Sequence, residues 1–268
     1  MSSLPLSPAE LFDLTGRNAL VTGGSVSIGR AIALQLAAAG ADVAIQYSQA
    51  ADARFRYPDA AARTCAEIVG LSRRAVAIAA DFAKPGEASR CVAEASAQLG
   101  RLEILVICAS IQSRQAFEAL PADEIARHVA INFTATVELL QAALPAMAER
   151  GWGRVLSIGS VNQTRPDAEL SVYAALKSAQ HNLIINLARR YADKGVTLNT
   201  LSPGLVATER NRWRRKSAAQ WRAIEQAANP MRRAGQPQDM VGAALLLCSQ
   251  ASSFITGADL QVTGGGHL

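Results

Sequence analysis

The sequence predicts an α/β protein built on one doubly wound, parallel, seven-stranded sheet of the Rossmann type. Short apolar runs alternate with longer helix-like segments along the whole chain. The strand-like runs, such as NALV and ILVI, are apolar on both faces, as in parallel sheets covered by helices on both sides. No linker rich in proline, glycine or serine divides the 268 residues, so we predict a single domain over 1–268.

The first half of the chain contains four predicted strands and three predicted helices. Apolar runs ending at turn residues predict strands at 18–24, 42–47, 73–81 and 103–110. Segments rich in Ala and Leu predict helices at 28–39, 59–69 and 87–99. Gly40 and Gly100 follow the first and third of these helices, where glycine commonly ends a helix. Residues 48–58 form a longer link than a β-α turn needs.

The second half continues the same alternation. Strands are predicted at 154–160, 196–204 and 259–266, and helices at 122–149, 170–193 and 237–249, the first of them containing Pro145. Residues 205–236 form a long connection rich in Arg and Trp. Because ligands of open α/β sheets bind beyond the carboxyl ends of the strands, we predict that this segment is a substrate lid.

Composition excludes several classes of protein. The four cysteines and three histidines are scattered without metal-ligand spacing or a CxxC pair, which predicts free thiols and no metal site. The N-terminus lacks the pattern of a signal peptide, and no apolar stretch reaches the ~18 residues of a membrane span. We therefore expect a cytoplasmic protein with no membrane partner. The formal charge of +5 suits anionic ligands but also simple solubility.

A glycine-rich turn, TGGSVSIGR, joins the first strand to the first helix. Glycines let the backbone turn tightly and approach a ligand closely. The helix that follows points unpaired backbone N–H groups at the turn, which makes a site for a pyrophosphate. The residues predicted to form this dinucleotide site are Gly23, Ser25, Ser27, Ile28 and Gly29.

The end of the second strand bears on the choice of cofactor. Dinucleotide sites that prefer NAD often place a carboxylate there, to bind the ribose 2′-hydroxyl. Here the strand ends at Tyr47 and Ser48, with no carboxylate. Arg30, Arg54 and Arg56 are available to meet a 2′-phosphate, which favours NADP over NAD, unless these arginines are simply solvated.

Tyr173 and Lys177 are spaced to lie on one face of a helix. A free tyrosine titrates near ~10, too high for a base at neutral pH, but a neighbouring ammonium favours the phenolate. Ser160 stands thirteen residues before Tyr173 at the end of a strand, where its hydroxyl could bond a substrate oxygen. Asn132 lies earlier, in a helical region.

With these residues in place, the chain resembles the short-chain dehydrogenase/reductase family over nearly its whole length. The resemblance rests on the turn TGGSVSIG, Asp81 after the third strand, Asn132 in INFTA, Ser160, YAALK with Tyr173 and Lys177, SPGLVAT at 202–208, and the ending ITGADLQVTGG. It implies a soluble enzyme that moves hydride between NAD(P) and an alcohol or ketone. Family members are commonly homotetramers, so a homotetramer is expected.

The resemblance also implies roles for individual residues. Tyr173 would be the general acid/base, Lys177 would bind the nicotinamide ribose, Ser160 would polarise the carbonyl, and Asn132 would hold a water in a proton relay. The implied cofactor contacts are Tyr47, Ser48, Asp81, Phe82, Ala109, Ser110, Tyr173, Lys177, Pro203, Gly204, Val206 and Thr208, with Asp81 at the adenine and Val206 and Thr208 at the carboxamide.

Two departures from the family pattern concern the cofactor side. Ser27 replaces the middle glycine of the family turn, and Cys108-Ala109-Ser110 replaces the family's Asn-Ala-Gly after the fourth strand. Ser27 and Ser110 add a side chain close to the expected cofactor, and Cys108 replaces an asparagine that in the family ties neighbouring strands together, so both changes are expected to affect cofactor affinity. The four residues implied in catalysis are intact.

The substrate is predicted less sharply. Residues 111–114, 117–118 and 160–163 resemble those of bacterial gluconate 5-dehydrogenases and related sugar-acid dehydrogenases. The predicted lid carries Arg210, Arg212, Arg214, Arg215 and Lys216. Arginine pairs well with carboxylates, which favours an anionic small molecule such as a sugar acid. A 3-oxoacyl thioester reductase is the first alternative, because the same charges suit an acidic carrier protein. A non-catalytic cofactor sensor and a nucleic-acid binder are weaker alternatives.

Overall fold

The computed structural model describes residues 6–268, and its core is one parallel sheet of seven strands. The strands are β1 (Asn18–Thr22), β2 (Asp42–Tyr47), β3 (Ala75–Ala79), β4 (Ile104–Ile107), β5 (Gly153–Ile158), β6 (Val196–Pro203) and β7 (Asp259–Val262). Their order across the sheet is β3-β2-β1-β4-β5-β6-β7, with every neighbouring pair parallel. The predicted Rossmann-type fold is confirmed.

Ten α-helices connect and cover these strands. They are α1 (Pro8–Phe12), α2 (Ser27–Ala38), α3 (Gln49–Arg54), α4 (Ala60–Gly70), α5 (Glu87–Leu99), α6 (Ala122–Val129), α7 (Ala135–Glu149), α8 (Ser171–Tyr191), α9 (Ala218–Ala228) and α10 (Val241–Cys248). These counts refer to the part of the chain that the structure describes.

The central strands are buried on both faces, as their apolar sequences predict. Leu20 and Leu105 point to one face, into a cluster with residues of α5, α7 and α8. Val21 and Val106, their neighbours in sequence, point to the other face, into a cluster with residues of α2, α4 and α10. Because successive side chains of a strand alternate between faces, two separate apolar layers result, one on each side of the sheet.

Three segments differ from the sequence prediction. The link at 48–58 contains the short helix α3, which Ser48 caps through its hydroxyl. The predicted helix at 122–149 is interrupted by a π-helical turn at Ala130–Thr134, while Pro145 remains inside α7. The long connection at 205–236 contains a 3-10 turn, Glu209–Arg214, followed by α9. Local residue preference gives little warning of a single π-turn, because its residues keep helical backbone angles.

The helical region Ala122–Glu149 is long and apolar enough, by length and composition, to cross a membrane, with a hydropathy of 1.3 over its most apolar window. Leu139, Leu144 and Met147 of this region are buried in the cluster against the sheet. A buried core helix explains this composition, and one such helix is weak support for a membrane span.

The side chain of Gln46 joins the glycine-rich turn to two strands. It is buried, its Oε1 accepts from Gly23 N (2.9 Å), and its Nε2 donates to Ala80 O (2.8 Å). Thr22 makes a similar connection on the other side of β1, since its hydroxyl accepts from Cys108 N (2.9 Å) and Ala109 N (3.1 Å). Two buried polar side chains therefore fix the backbone at the carboxyl ends of neighbouring strands.

Replacing Gln46 by leucine is expected to lower the free energy of unfolding by about 1–3 kcal/mol, because Gly23 N and Ala80 O lose their partners inside the protein. Urea unfolding followed by circular dichroism measures the change. Gln220→Leu, at an exposed position of α9, is the control and should stay within about 0.5 kcal/mol of the parent. Equal effects of the two substitutions would contradict this view of Gln46.

Candidate active site

A large cleft opens at the carboxyl ends of β1, β4, β5 and β6, where the strand order reverses between β1 and β4. Its volume is about 2090 Å³, roughly twice the upper end of ordinary small-ligand pockets at ~1,000 Å³. It therefore has room for a dinucleotide together with a second molecule. Residues of the predicted lid form part of its wall.

The residues predicted from the sequence to form the site lie almost entirely in this one cleft. All of them line it except Asn132 and Tyr47. The ring of Tyr47 instead packs against the apolar cluster on the α2 face of the sheet. Asn132 is buried beside the cleft, where it supports the backbone that lines it.

Tyr173 and Lys177 lie one turn apart near the start of α8, and both are buried. The Lys177 Nζ lies 5.9 Å from the centre of the Tyr173 ring. It donates to Ile158 O (2.7 Å), at the end of β5, and to Gln180 Oε1 (2.8 Å), one turn further along α8. The ammonium is thus fixed between the helix and the end of the strand, beneath the tyrosine.

Burial, and secondly the positive charge of Arg210, lower the pKa of Lys177 to about 7. Cys108 has the opposite, smaller effect. The partners of the Nζ are neutral oxygens, which hydrogen-bond the ammonium without compensating its charge. A cation held in this way makes the region around Tyr173 electropositive whenever Lys177 is protonated.

Ser160 follows β5 and faces the cleft close to α8. Its hydroxyl oxygen accepts from Asn162 N (3.1 Å) and from Asn162 Nδ2 (3.3 Å). Two donors on the oxygen leave the Ser160 proton free to point elsewhere. A serine held this way can donate its proton to an oxygen of a bound molecule.

Asn132 lies in the π-turn between α6 and α7. Its Oδ1 accepts from Ile111 N (2.9 Å) and its Nδ2 donates to Ile111 O (3.0 Å). This two-bond link fixes the segment after β4, which lines the cleft. Gln180 Nε2 donates to Thr136 Oγ1 (2.9 Å), one turn after Asn132, so side chains connect Lys177 to the π-turn.

The glycine-rich turn is closely packed against the first turn of α2. A Cβ on Gly29 would lie 2.1 Å from Gly23 O, and Gly23 has a φ of +63°. Both positions therefore require glycine. The N-cap residue of α2, Val26, offers no side-chain hydrogen bond to the first N–H groups of the helix, and the first-turn residues 27–29 line the cleft. This cradle fits a dinucleotide pyrophosphate.

Ser27, at the family's glycine position, also has a left-handed backbone, with a φ of +53°. A side chain in this conformation costs roughly 1–2 kcal/mol. Its hydroxyl oxygen accepts from Glu209 N (3.3 Å), in the segment after β6. The serine thus contacts the predicted lid across the mouth of the cleft.

Ser25 faces inward from the turn. Its hydroxyl donates to Asp52 Oδ1 (2.8 Å), and its carbonyl accepts from Thr64 Oγ1 (3.1 Å). Asp52 is buried on α3, its Oδ2 has no partner in the structure, and burial raises its pKa despite the Ser25 hydrogen bond. A carboxyl group therefore lies beneath the turn, although none stands at the end of β2.

The arginines near β2 separate into two groups. Arg30 pairs with Glu67 (2.5 Å), so its charge is not available to a 2′-phosphate as the sequence suggested. Arg54 and Arg56 line the cleft, as does Ser48. Asp81 is exposed beyond the end of β3, beside Phe82, and its Oδ1 accepts from Ala83 N (3.0 Å).

The segment after β6 approaches the cleft from the other side. Pro203, Gly204, Val206 and Thr208 line it. Val206 O accepts from Thr208 N (2.8 Å) and Asn211 Nδ2 (2.8 Å), which fixes the start of the connection. Arg210 reaches the opposite wall, where its Nη2 donates to Ser110 O (2.7 Å) and Ser110 Oγ (2.8 Å).

Sequence reasoning missed Gln180 and Asp52, and it gave Asn162 no role beyond its place in the stretch 160–163. Gln180 could have been found, because it lies three residues after Lys177 on the same face of α8. Asn162 follows Ser160 by two residues, a spacing common in local side-chain turns. Asp52 gave no signal, since its burial depends on a contact with Ser25, 27 residues earlier.

Comparison with known proteins agrees with this geometry. The family profile described as enoyl-(acyl carrier protein) reductase matches residues 23–267. L-Rhamnose 1-dehydrogenase (NAD(P)(+)) of Sphingomonas sp. (strain SKA58) is 33% identical over 257 residues, which cover 95% of this chain and 98% of the relative.

Solved structures give the same result. A 3-oxoacyl (acyl-carrier-protein) reductase from Agrobacterium tumefaciens C58, with NADP bound, is 43% identical with a TM-score of 0.91, over 97% of this chain and 98% of that one. A Beutenbergia cavernae protein assigned as an NAD(P)-dependent gluconate 5-dehydrogenase, with bound NADP, is 33% identical with a TM-score of 0.85, over 96% and 98%.

The lowered pKa of Lys177 predicts a pH-dependent stability. Between about pH 7 and 10.5 the unfolded chain binds a proton at Lys177 that the folded protein does not, so this residue makes stability rise with pH there. Lys177→Met should remove that contribution. Relative to the variant, the parent should lose up to about 1.4 kcal/mol per pH unit as pH falls from 10 to 7.

Urea titrations at several pH values measure this difference. Lys216→Met, at an exposed position, is the control, and its difference from the parent should not change over the same range. A flat difference for Lys177→Met would contradict the lowered pKa.

Proposed function

Because the chain belongs to the short-chain dehydrogenase/reductase family and is an NAD(P)-dependent oxidoreductase, we propose that it transfers hydride between NADP and a small polar alcohol/ketone pair, with Tyr173 as general acid/base. The observation that carries the proposal is the grouping of Tyr173, Lys177 and Ser160 in the cleft that the glycine-rich turn also lines. A molecule that only binds the cofactor has no need of this group.

Each side chain has a separate task in the proposed reaction. Ser160 donates its free proton to the substrate oxygen and fixes its position. Tyr173 gives a proton to that oxygen during reduction, or accepts it during oxidation. Lys177, beneath the ring, favours the phenolate whenever it is protonated. The nicotinamide cofactor, when bound, supplies or accepts the hydride.

Asn132 and Gln180 are proposed to hold this arrangement in place. Gln180 accepts from Lys177 and donates to Thr136, which leads to the π-turn of Asn132. The family's proton relay places a water near Asn132 and Lys177, and we propose the same route here. Asn132 would act through the backbone it fixes, because its side chain is engaged with Ile111.

NADP is the proposed cofactor in preference to NAD. Arg54 and Arg56 line the cleft beyond the end of β2, where a 2′-phosphate would be expected. Asp52 is engaged with Ser25 and buried, so its carboxyl group is not presented to a ribose. Both structural relatives described above contain NADP, which supports the same choice.

A sugar acid such as gluconate is the proposed substrate. The sugar dehydrogenase and the protein assigned as a gluconate 5-dehydrogenase support a polar, hydroxylated substrate. Arginines of the lid line the cleft, and arginine suits a carboxylate. A 3-oxoacyl thioester is the second candidate, favoured by the 43% identical reductase and by a cleft with room for a longer molecule.

We also propose a cytoplasmic homotetramer. The four cysteines are free, which suits a reducing compartment. Phe254 is fully exposed and Leu260, on the edge strand β7, is 37% exposed, so apolar surface is available for a partner subunit at that edge.

Tyr173→Phe is expected to lower turnover by at least about a hundredfold, the usual contribution of a positioned acid/base. The dissociation constant for NADPH should stay within about threefold, since the hydroxyl is the only group removed. Nicotinamide absorbance measures the first quantity and NADPH fluorescence the second. Full activity in the variant would exclude Tyr173 as the acid/base.

The substrate assignment is tested by absorbance at the nicotinamide band with NADP⁺ or NAD⁺ and a panel of sugar acids, sugars and polyols. NADPH oxidation with 3-oxoacyl thioesters runs in parallel. We expect turnover with a sugar acid and higher kcat/KM with NADP⁺. Activity confined to the thioesters would show that the substrate is a 3-oxoacyl thioester and not a sugar acid.

A further inference from the structure

Arg210 carries a charge that nothing else in its surroundings balances. Its Nη2 donates to two oxygens of Ser110, both neutral. Within residues 6–268 no carboxylate forms a salt bridge with it, and its Nε and Nη1 make no hydrogen bond. The guanidinium therefore keeps donor positions available inside a partly buried site, where an unpaired charge is costly.

The other arginines that line the same cleft are paired or exposed, with the exception of Arg214. Arg114 pairs with Asp167 and with Glu169 (3.0 Å). Arg212 is exposed, with Glu209 3.9 Å away. Arg165 donates to two backbone carbonyls near the end of the chain. Arg214 is also partly buried without a hydrogen bond, but the carboxylate of Asp167 lies in its surroundings. Arg210 has only neutral partners, and its charge lies near Lys177.

Its position is fixed relative to the reacting groups. Ser110 lies three residues beyond the end of β4, and β4 is paired with β5, which leads to Ser160. The Arg210 charge is close enough to Lys177 to contribute to its lowered pKa. A ligand group bound by Arg210 would therefore lie at the same end of the cleft as Lys177 and Tyr173.

We propose that Arg210 is a specificity-determining residue that binds a carboxylate of the substrate, and that Ser110 positions it. This inference rests on the proposed function, because it assigns the acidic group of the substrate to one side chain. Ser110 holds a single nitrogen of the guanidinium with both its carbonyl and its hydroxyl, which orients the remaining donors. The guanidinium keeps its Nε–H and both Nη1–H donors, and each of these two nitrogens can hydrogen-bond a carboxylate oxygen that the charge attracts.

Glycine at position 110, as in the family pattern, would remove the hydroxyl acceptor and leave only the carbonyl. The serine therefore has a task that explains its presence beside the cofactor cleft. The other anion that could meet Arg210 is a phosphate of the cofactor, and the experiment must separate the two.

The experiment measures binding to the NADPH-loaded protein through the fluorescence of the reduced nicotinamide. The probes are two pairs of alcohols, gluconate with glucitol and 3-hydroxybutanoate with 1,3-butanediol. Each pair differs in the carboxylate, and an alcohol with NADPH cannot react. We expect the acid of at least one pair to bind about tenfold or more tightly than its neutral partner.

In Arg210→Gln the acid should lose about 10- to 100-fold in affinity, while the neutral partner and NADPH change by less than about threefold. Arg222→Gln removes the same charge from an exposed position of α9, and should leave all three affinities unchanged. Ser110→Gly should lower the affinity for the acid by a smaller factor. Ser110→Thr, which keeps the hydroxyl, should bind the acid as tightly as the parent does. Substitution of a residue with a purely structural role would not change the ratio between the affinity for the acid and the affinity for its neutral partner.

Three results would overturn the inference. The parent protein could bind neither acid more tightly than its neutral partner. Arg210→Gln could leave the acid affinity unchanged. The same variant could instead bind NADPH more weakly, which would assign Arg210 to the cofactor phosphates. None of these results depends on turnover, so a failed hydride-transfer assay and a failed carboxylate site remain distinguishable.

Discussion

A buried ammonium group is the interaction on which the catalytic corner depends. The Lys177 side chain is buried, and its Nζ donates to two neutral oxygens, one at the end of β5 and one on its own helix. Such a charge is tolerated only where the surrounding backbone is fixed, because any loosening would leave it without partners. The buried side chains of Gln180 and Thr136 continue this fixed region to the π-turn. The cost of the cation is thus matched by a rigid frame around Tyr173.

The sheet explains why this frame stands beside a cofactor site. All strands are parallel, so their carboxyl ends lie along one edge, and the reversal of strand order between β1 and β4 separates the connections there. The glycine-rich turn follows β1, Ser110 follows β4, Ser160 follows β5, and Val206 follows β6. Four segments distant in sequence meet at this edge because each leaves a neighbouring strand. The chemistry therefore depends on topology as much as on the individual residues.

The strands of the sheet and most residues of the candidate site could be predicted from the sequence. Contacts between residues far apart in the sequence could not. Runs such as ALV and ILVI are apolar at every position, a pattern that requires burial on both faces, so the strands and their parallel arrangement could be predicted. The family resemblance, which the comparisons confirm, led to the prediction that Tyr173 and Lys177 belong to the site. Contacts across long sequence distances carried no local signal. Arg30 pairs with Glu67 because α2 packs against α4, and Asp52 of α3 binds Ser25 in the turn before α2. In neither pair does the sequence around one residue indicate the other. The π-turn also had no signal in the sequence, since its residues keep helical backbone angles.

The two serines in glycine positions have a joint consequence. Ser27 and Ser110 lie on opposite walls of the cleft, yet they contact consecutive residues, Glu209 and Arg210. One short piece of chain is therefore anchored at both walls, and the value of either anchor depends on the other being present. Such positions should show epistasis: a relative that acquired only one serine would gain a strained or crowded site without the anchored segment. A chimaera that exchanges the connection after β6 must therefore keep both serines to keep these contacts.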